Sequence, residues 1–351
     1  MIHTSPITTL GGISVFKKNI KKFLNMSNWP LQFDSVANIF PGKTSALYFH
    51  GVEDHVDDSS IQALHYPSIQ FQDLILYLKK RYRILSIDEF YNFFIEKKLP
   101  PRSILITFDD GYKNNLYTAA PFLKEHKIPF TVFVSTRHIT SGDYFPTFFQ
   151  RAILKHAKQG NFTLSFNQEQ LSLKTAEERK SSNQRIAYLM KTSNQNDVRS
   201  MVEDLKSLVS KNELEEIKQV YSSDSPMDWK ELAEIPDFGG TVASHCDEHV
   251  ILHKNQSQQE IDHQLIESKR LIEKYIGPCK YFAFPNGKNE DISEYAIKKL
   301  KDVGYLMGFS TEEALVSGEH ERYCIPRFSP MTSTDFQFSF NFMIFKSLLS
   351  N

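Results

Sequence analysis

A parallel α/β sheet or barrel is the fold this sequence predicts, and two observations predict it. Short apolar, β-rich runs recur at Ala46–His50, Ser103–Phe108, Pro129–Ser135, Thr241–Ser244, Lys280–Pro285 and Tyr305–Ser310, separated by segments of helical periodicity. The composition also suits a packed core: 351 residues, 40% hydrophobic and 24% charged, exclude a disordered, collagen-like or coiled-coil chain. Length alone leaves one large α/β domain with insertions or two ordinary domains.

Residues 1–44 are expected to form an N-terminal extension. Within it Phe16, Ile20, Phe23 and Leu24 share one helical face beside Lys17, Lys18, Lys21 and Lys22. Residues 16–24 therefore suit either a short helix packed on the domain or a peripheral contact with a membrane surface. Residues 45–139 hold the first three β-rich runs. From 140 to 227 the composition shifts to Lys, Glu, Gln, Asn and Ser with helical periodicity, as in Glu213–Tyr221, which predicts a mostly helical insertion. The alternation resumes over 228–330. Ser257 and Glu260 make a capping box ahead of Ile261, Leu265, Ile272 and Ile276, and Gly277-Pro278 stops that helix. Asn289 is placed to cap the next helix, which runs through Ile292, Tyr295 and Leu300 to Gly304. Residues 331–351 form a tail whose Phe residues, like Met307, read as packing.

Lys+Arg 41 against Asp+Glu 42 gives a net charge of −1, which removes any global electrostatic argument for nucleic acid or an anionic membrane. Three cysteines, Cys246, Cys279 and Cys324, are too few and too odd in number for a disulfide framework. The first residues lack the basic-apolar-small order of a signal peptide, and no run approaches the roughly eighteen apolar residues of a spanning helix. A soluble, cytoplasmic protein is expected.

The sharpest chemical feature is Ile104-Leu105-Ile106-Thr107-Phe108-Asp109-Asp110-Gly111-Tyr112, a buried-strand signal ending in two carboxylates and a glycine. Successive strand side chains point to opposite faces, so both aspartates serve one site only just past the strand end, where Gly111 lets the backbone turn. Such strand ends are where α/β folds build sites, and paired carboxylates call for a nearby cation. An ordinary Asp-Gly turn capping the helix after Tyr112 is the simpler alternative. The second feature is Ser244-His245-Cys246-Asp247-Glu248-His249, in which histidines four apart would share one face of a helical turn and could hold one metal. His249 and His253 repeat that spacing, so spacing alone is weak. His253, His55 and His65 show no partner in sequence and are expected at the surface. One carboxylate and two imidazoles from different strand ends make three ligands with positions left for water and substrate.

These motifs resemble the polysaccharide deacetylase family, also known as the NodB homology domain or carbohydrate esterase family 4. Tyr48-Phe49-His50-Gly51-Val52 is similar to its opening strand, and Asp228-Trp229-Lys230-Glu231-Leu232 to the lead-in to its histidine motif. Phe282-Ala283-Phe284-Pro285-Asn286-Gly287 is similar to its aromatic-Pro-x-Gly strand end. The resemblance implies a deformed (β/α)7-type barrel. It implies a divalent metal, most often zinc, held by Asp110, His245 and His249, with Asp109 as general base and the Asn286 backbone N–H as oxyanion donor. It further implies a glycan or glycolipid substrate carrying an N-acetylated sugar. Pro285 would line the sugar site, and Tyr112 and Tyr144 are candidates to stack on sugar faces.

Departures from the pattern are specific. Cys246 stands where Ser or Thr is usual, and Asn286 where Tyr is usual. The arginine that normally braces the catalytic aspartate is absent from Phe282–Pro285; Arg327, in Cys324-Ile325-Pro326-Arg327, is the candidate replacement, and a surface arginine is the alternative. No late Leu-His-Asp segment supplies a general acid. His50 is the candidate to protonate the leaving amine or hold substrate, against a buried structural histidine. The expected activity is removal of N-acetyl groups from amino sugars of a cell-surface polysaccharide, glycolipid or precursor. A related C–N hydrolase and an inactive glycan-binding protein are the alternatives.

Overall fold

The computed structural model describes residues 43–56 and 58–330. The amphipathic run 16–24 and the tail 331–351 lie outside the described residues. The chain divides into two units, Met1–Pro41 and Gly42–Asn351, and the described residues all belong to the second.

In chain order the strands are β1 (Lys43–Phe49), β2 (Gly51–Glu53), β3 (His65–Pro67), β4 (Arg83–Leu85), β5 (Ser103–Phe108), β6 (Phe130–Val134), β7 (Asn161–Thr163), β8 (Gln170–Ser172), β9 (Gly240–Ser244), β10 (Tyr281–Ala283), β11 (Met307–Phe309) and β12 (Val316–Ser317). The main sheet runs β11-β10-β9-β6-β5-β1-β12, with β4 also paired to β5. Its pairings are parallel except for the antiparallel β1–β12 contact. The sheet curls because the extended segment 325–328 bonds to both margins. The Ile325 N–H donates to Gly308 O and the Ser310 N–H to Ile325 O, each at 2.8 Å; the Tyr48 N–H donates to Phe328 O and the Phe328 N–H to Ala46 O, also at 2.8 Å. The result is the deformed α/β barrel that the family resemblance implies.

β5 and β6 are buried along their whole length, which is why they read as continuous apolar runs. The period of two still sorts their side chains. Ile104, Ile106, Val132 and Val134 pack with helix Ser68–Arg81 through Phe71, Leu74, Ile75 and Leu78. Leu105 and Phe133 join Ala46, Ala243, Ala283 and Phe309 in a second cluster, which also takes in Met307 and Phe90 of helix Ile87–Ile95. Asp109 continues the parity of Leu105 and Thr107. It therefore stands at the end of the inward-facing row.

Helix Gln258–Tyr275 has only half of the expected capping box: Ser257 accepts the Glu260 N–H at 3.1 Å, while the Glu260 carboxylate turns to Arg199 and Gln264. Asn289 caps nothing long. It opens a 3₁₀ turn, and Ser293 caps helix Glu294–Val303 by accepting the Ala296 N–H at 3.2 Å. Between β6 and β9 lie the helices Pro146–His156, Ala176–Thr192, Gln195–Lys206 and Lys211–Val220, with the antiparallel hairpin β7–β8, whose alternation the polar composition had masked. These helices share a core of their own, including Phe148, Phe149, Ile153, Ile186, Met201 and Leu205.

Closure of the barrel makes the buried side chain of Phe328 structural. Phe328→Ala is expected to cost about 3–5 kcal/mol, read as a lower urea midpoint at unchanged m-value.

Candidate active site and metal centre

Three strand ends build the site, and each turns through a left-handed residue. After β5 the Asp109 N–H still donates to Phe49 O at 2.9 Å, and then Asp110 (φ 75°) and Gly111 (φ 85°) swing the chain away. A Cβ at Gly111 would lie 2.8 Å from Val134 Cγ1, so this turn accepts only glycine. After β9 the histidine segment is not the helical turn that spacing predicted. Cys246 (φ 67°) and His249 (φ 55°) fold it into an irregular loop, and that loop brings the two rings to 4.9 Å. After β10 come Asn286 (φ 60°) and Gly287 (φ 70°). Non-glycine residues rarely adopt this conformation, and their gathering at one place marks a functional site.

The candidate ligand set lies together. Asp110 Oδ1 lies 3.3 Å from His249 Nε2 and 3.6 Å from His245 Nε2, and the three ligand atoms fall within 4.8 Å of one another. His245 Nδ1 sits 2.7 Å from Ala283 O, a carbonyl that can only accept, so Nδ1 carries the proton and Nε2 turns its lone pair toward Asp110. Burial lowers the His245 pKa to about 4, which keeps the ring neutral at pH 7. No proton is then available between His245 Nε2 and the carboxylate. Asp110 Oδ1 is buried with no hydrogen-bond partner among the described residues. Burial pushes the Asp110 carboxyl up, but His249, His50 and His245 more than offset it and hold it below the usual carboxylate range. The His245 lone pair and the ionised Asp110 oxygen, with the His249 ring nitrogen 3.3 Å from that oxygen, fit a divalent cation.

Cys246 is no ligand. It is fully buried, its Sγ lies 3.6 Å from Val250 O, and burial pushes its pKa far up, so it stays a thiol bracing the loop. In the neighbouring trio Asp247, Glu248 and His263, Thr136 Oγ1 donates to Asp247 Oδ1 at 2.7 Å, and Arg199 forks onto Glu248 at 2.8 and 2.9 Å. That fork ties the histidine loop to helix Gln195–Lys206. Sequence reasoning missed Arg199, because nothing local marks it.

Asp109 meets Arg327 in a two-point pair. Nη1 and Nη2 donate to Oδ1 and Oδ2 at 2.8 Å each, Nη1 also reaches Thr107 Oγ1 at 3.1 Å, and Nε donates to Ser310 O at 3.1 Å. Arg327 is 0% exposed, which corrects the surface alternative. Burial alone would raise the Asp109 carboxyl. The Arg327 guanidinium, with His245 and His50, instead holds it below its ordinary value.

A cavity of about 340 Å³ opens on this centre, lined by His50, Asp109, Asp110, His245, His249 and Asn286 among others. His50 is half-buried, its carbonyl accepting the Asn115 side-chain amide at 2.6 Å. The Asn286 side chain donates to Asp291 Oδ2 at 2.5 Å, while its backbone N–H meets no acceptor among the described residues. Pro285 is buried behind Asn286 and is not among the lining residues. The expected sugar-stacking role of Tyr112 and Tyr144 is corrected, because they are only 2% and 6% exposed. Tyr112 packs edge-on against Phe145 (5.5 Å), which in turn packs on His249 (5.3 Å) and supports the ligand ring. His65 and His253 are buried too, His65 with its Nε2 3.2 Å from Asp224 Oδ2.

The family model described as polysaccharide deacetylase matches residues 96–308. The chain belongs to the polysaccharide deacetylase family. This family member is 32% identical over 94 residues to a poly-beta-1,6-N-acetyl-D-glucosamine N-deacetylase of Staphylococcus aureus strain MSSA476, a stretch covering 26% of the chain and 31% of that relative. The fold is that of the Streptococcus pyogenes deacetylase PplD in complex with acetate, with a TM-score of 0.56 at 16% identity over 87% of this chain and 99% of that one. It is likewise that of IcaB from Ammonifex degensii, with a TM-score of 0.55 at 15% identity over 87% and 97%.

Replacing Arg327 by Met leaves the deacetylase-family barrel with a buried, unpaired carboxylate. The expected loss is about 3–5 kcal/mol at pH 7. Because the folded Asp109 pKa is lowered, the pair contributes above the unfolded carboxylate range and fades as pH falls through the folded value. The gap between wild type and variant in urea melts should therefore narrow below about pH 4.

Proposed function

We propose that the chain is a metal-dependent hydrolase that removes N-acetyl groups from amino sugars of a polysaccharide or glycolipid. The observation that carries this reading is the orphaned Asp110 oxygen facing two imidazoles, with the ionised Asp109 opening on the same cavity. Likeness to the poly-beta-1,6-N-acetyl-D-glucosamine N-deacetylases supports an N-acetylglucosamine-containing substrate.

Asp110, His245 and His249 would hold the cation, and their nitrogen and oxygen donors suit zinc. When bound, the cation supplies Lewis acidity, stabilising negative charge that develops on the amide oxygen and making water more acidic. Asp109 takes the proton from the attacking water. Arg327 keeps that carboxylate ionised and fixes its plane at the wall of the cavity. The Asn286 N–H donates to the oxygen of the tetrahedral intermediate, a contact typically worth about 10²–10³ in rate. His50 stands where it can hold the substrate or return a proton to the leaving amine. A cytoplasmic setting belongs to the same reading, supported by three free cysteines. No helix among the described residues is long and apolar enough to cross a membrane.

Acetate release from acetylated chito- or β-1,6-oligosaccharides tests this. Asp109→Asn should lower turnover about 10²–10⁴-fold with metal still bound. His249→Ala should lose metal and activity together, read by elemental analysis. Undiminished release by either variant overturns the mechanism.

A further inference from the structure

We propose that the active-site cavity contains an anion subsite, formed by Arg151 and Lys191 of the helical segment between β6 and β9, that selects acetylated amino sugars bearing a carboxylate or phosphate. This rests on the hydrolase reading above and adds the charge of its substrate.

The charged side chains lining the cavity are Asp109, Asp110, Arg151, Lys191 and Glu248. Asp109 is neutralised by Arg327, and Glu248 by Arg199, both through two-point contacts. Asp110 would be taken up by the cation proposed above. What remains is Arg151, on helix Pro146–His156, and Lys191, in the last turn of helix Ala176–Thr192. Neither forms an ion pair with a described residue. The cavity is thus locally cationic in a chain whose net charge is −1.

Arg151 is the more informative of the two. Its Nε and Nη2 are both buried, and neither has a hydrogen-bond partner among the described residues. Burying a charged donor without an acceptor is costly, so such a group calls for a partner of complementary chemistry. Nε and Nη2 have no accessible surface, so the cavity meets the guanidinium through Nη1, a charged donor that suits an oxygen of a carboxylate or phosphate. Lys191 is exposed and offers a more solvated point charge at the rim. Its contribution should be smaller and more sensitive to salt.

The test uses the zinc-loaded protein and three probes: N-acetylglucosamine, its 6-phosphate, and the analogue carrying a 6-carboxylate. Equilibrium binding is measured by ligand-observed NMR, with acetate release from each probe followed in parallel. At least one charged sugar should bind about ten- to hundredfold tighter than the neutral one, as expected for a charge-assisted pair. Which charged sugar gains distinguishes phosphate from carboxylate. Arg151→Gln should remove most of that advantage, and Lys191→Gln a smaller part that shrinks with added salt. Arg151→Gln deletes no hydrogen bond to Nε or Nη2, so its melting temperature, measured alongside, should stay near that of the wild type. Equal binding of the three sugars overturns the proposal. An advantage that survives in Arg151→Gln also overturns it, since the metal would then be its source. Failure to release acetate from any sugar counts against the hydrolase reading, while the binding comparison still decides the anion subsite.

Discussion

The buried pair between Asp109 and Arg327 holds together both the site and the closure of the sheet. Arg327 arrives on the segment that joins β11 to β1, and its guanidinium donates to Asp109 and Thr107 at the end of β5 and to Ser310 beyond β11. Aromatic rings of Tyr48, Phe133 and Phe309 lie 4.9, 5.4 and 6.0 Å from the guanidinium, so little water competes for it. A buried ion pair is seldom a net source of stability compared with apolar packing. Its value here is positional: an inward-facing carboxylate stays ionised at a strand end, with its orientation fixed by a two-point contact.

The metal centre follows from a second constraint, imposed by backbone geometry. A straight strand cannot aim adjacent side chains at one point. Left-handed conformations at Asp110, Cys246, His249 and Asn286 solve that problem at the ends of β5, β9 and β10. Their conformational cost is offset by the ladder that precedes them and by packing behind them. Phe145 backs His249, Ala283 O orients His245, and the Cys246 thiol bonds within its own loop. Rigid support of this kind holds the Asp110, His245 and His249 side chains in place.

The helical segment between β6 and β9 has its own core and also walls the cavity, through Gln150, Arg151, Met190, Lys191 and Gln195. Its attachment is electrostatic as well as apolar. Arg199 binds Glu248 of the histidine loop and Glu260 at the start of helix Gln258–Tyr275, which explains why Glu260 leaves its capping box half made. The candidate site residues thus come from the strand ends of the barrel. Part of the cavity wall comes from this helical unit.

Local signals carried much of this unaided. Apolar runs such as Ser103–Phe108 are legible because strands buried on both faces need no alternation, and the spacing in Phe108-Asp109-Asp110-Gly111 and His245/His249 marks ligands because their chemistry is tied to strand ends. Arg327 was reachable as a candidate only because a recognised pattern lacked an arginine elsewhere. Other features depended on which distant segments meet. Tyr112 is buried because Phe145 covers it, His65 because Asp224 returns to it from the far end of the insertion, and Arg151 lines the cavity because helix Pro146–His156 brings it there. The order of strands and helices and the identity of the chemical groups were readable from the chain, since both follow from neighbours along it. Burial, pairing and the net charge of the cavity emerged only on folding, because they depend on residues far apart in the chain, such as Asp109 and Arg327, 218 positions apart.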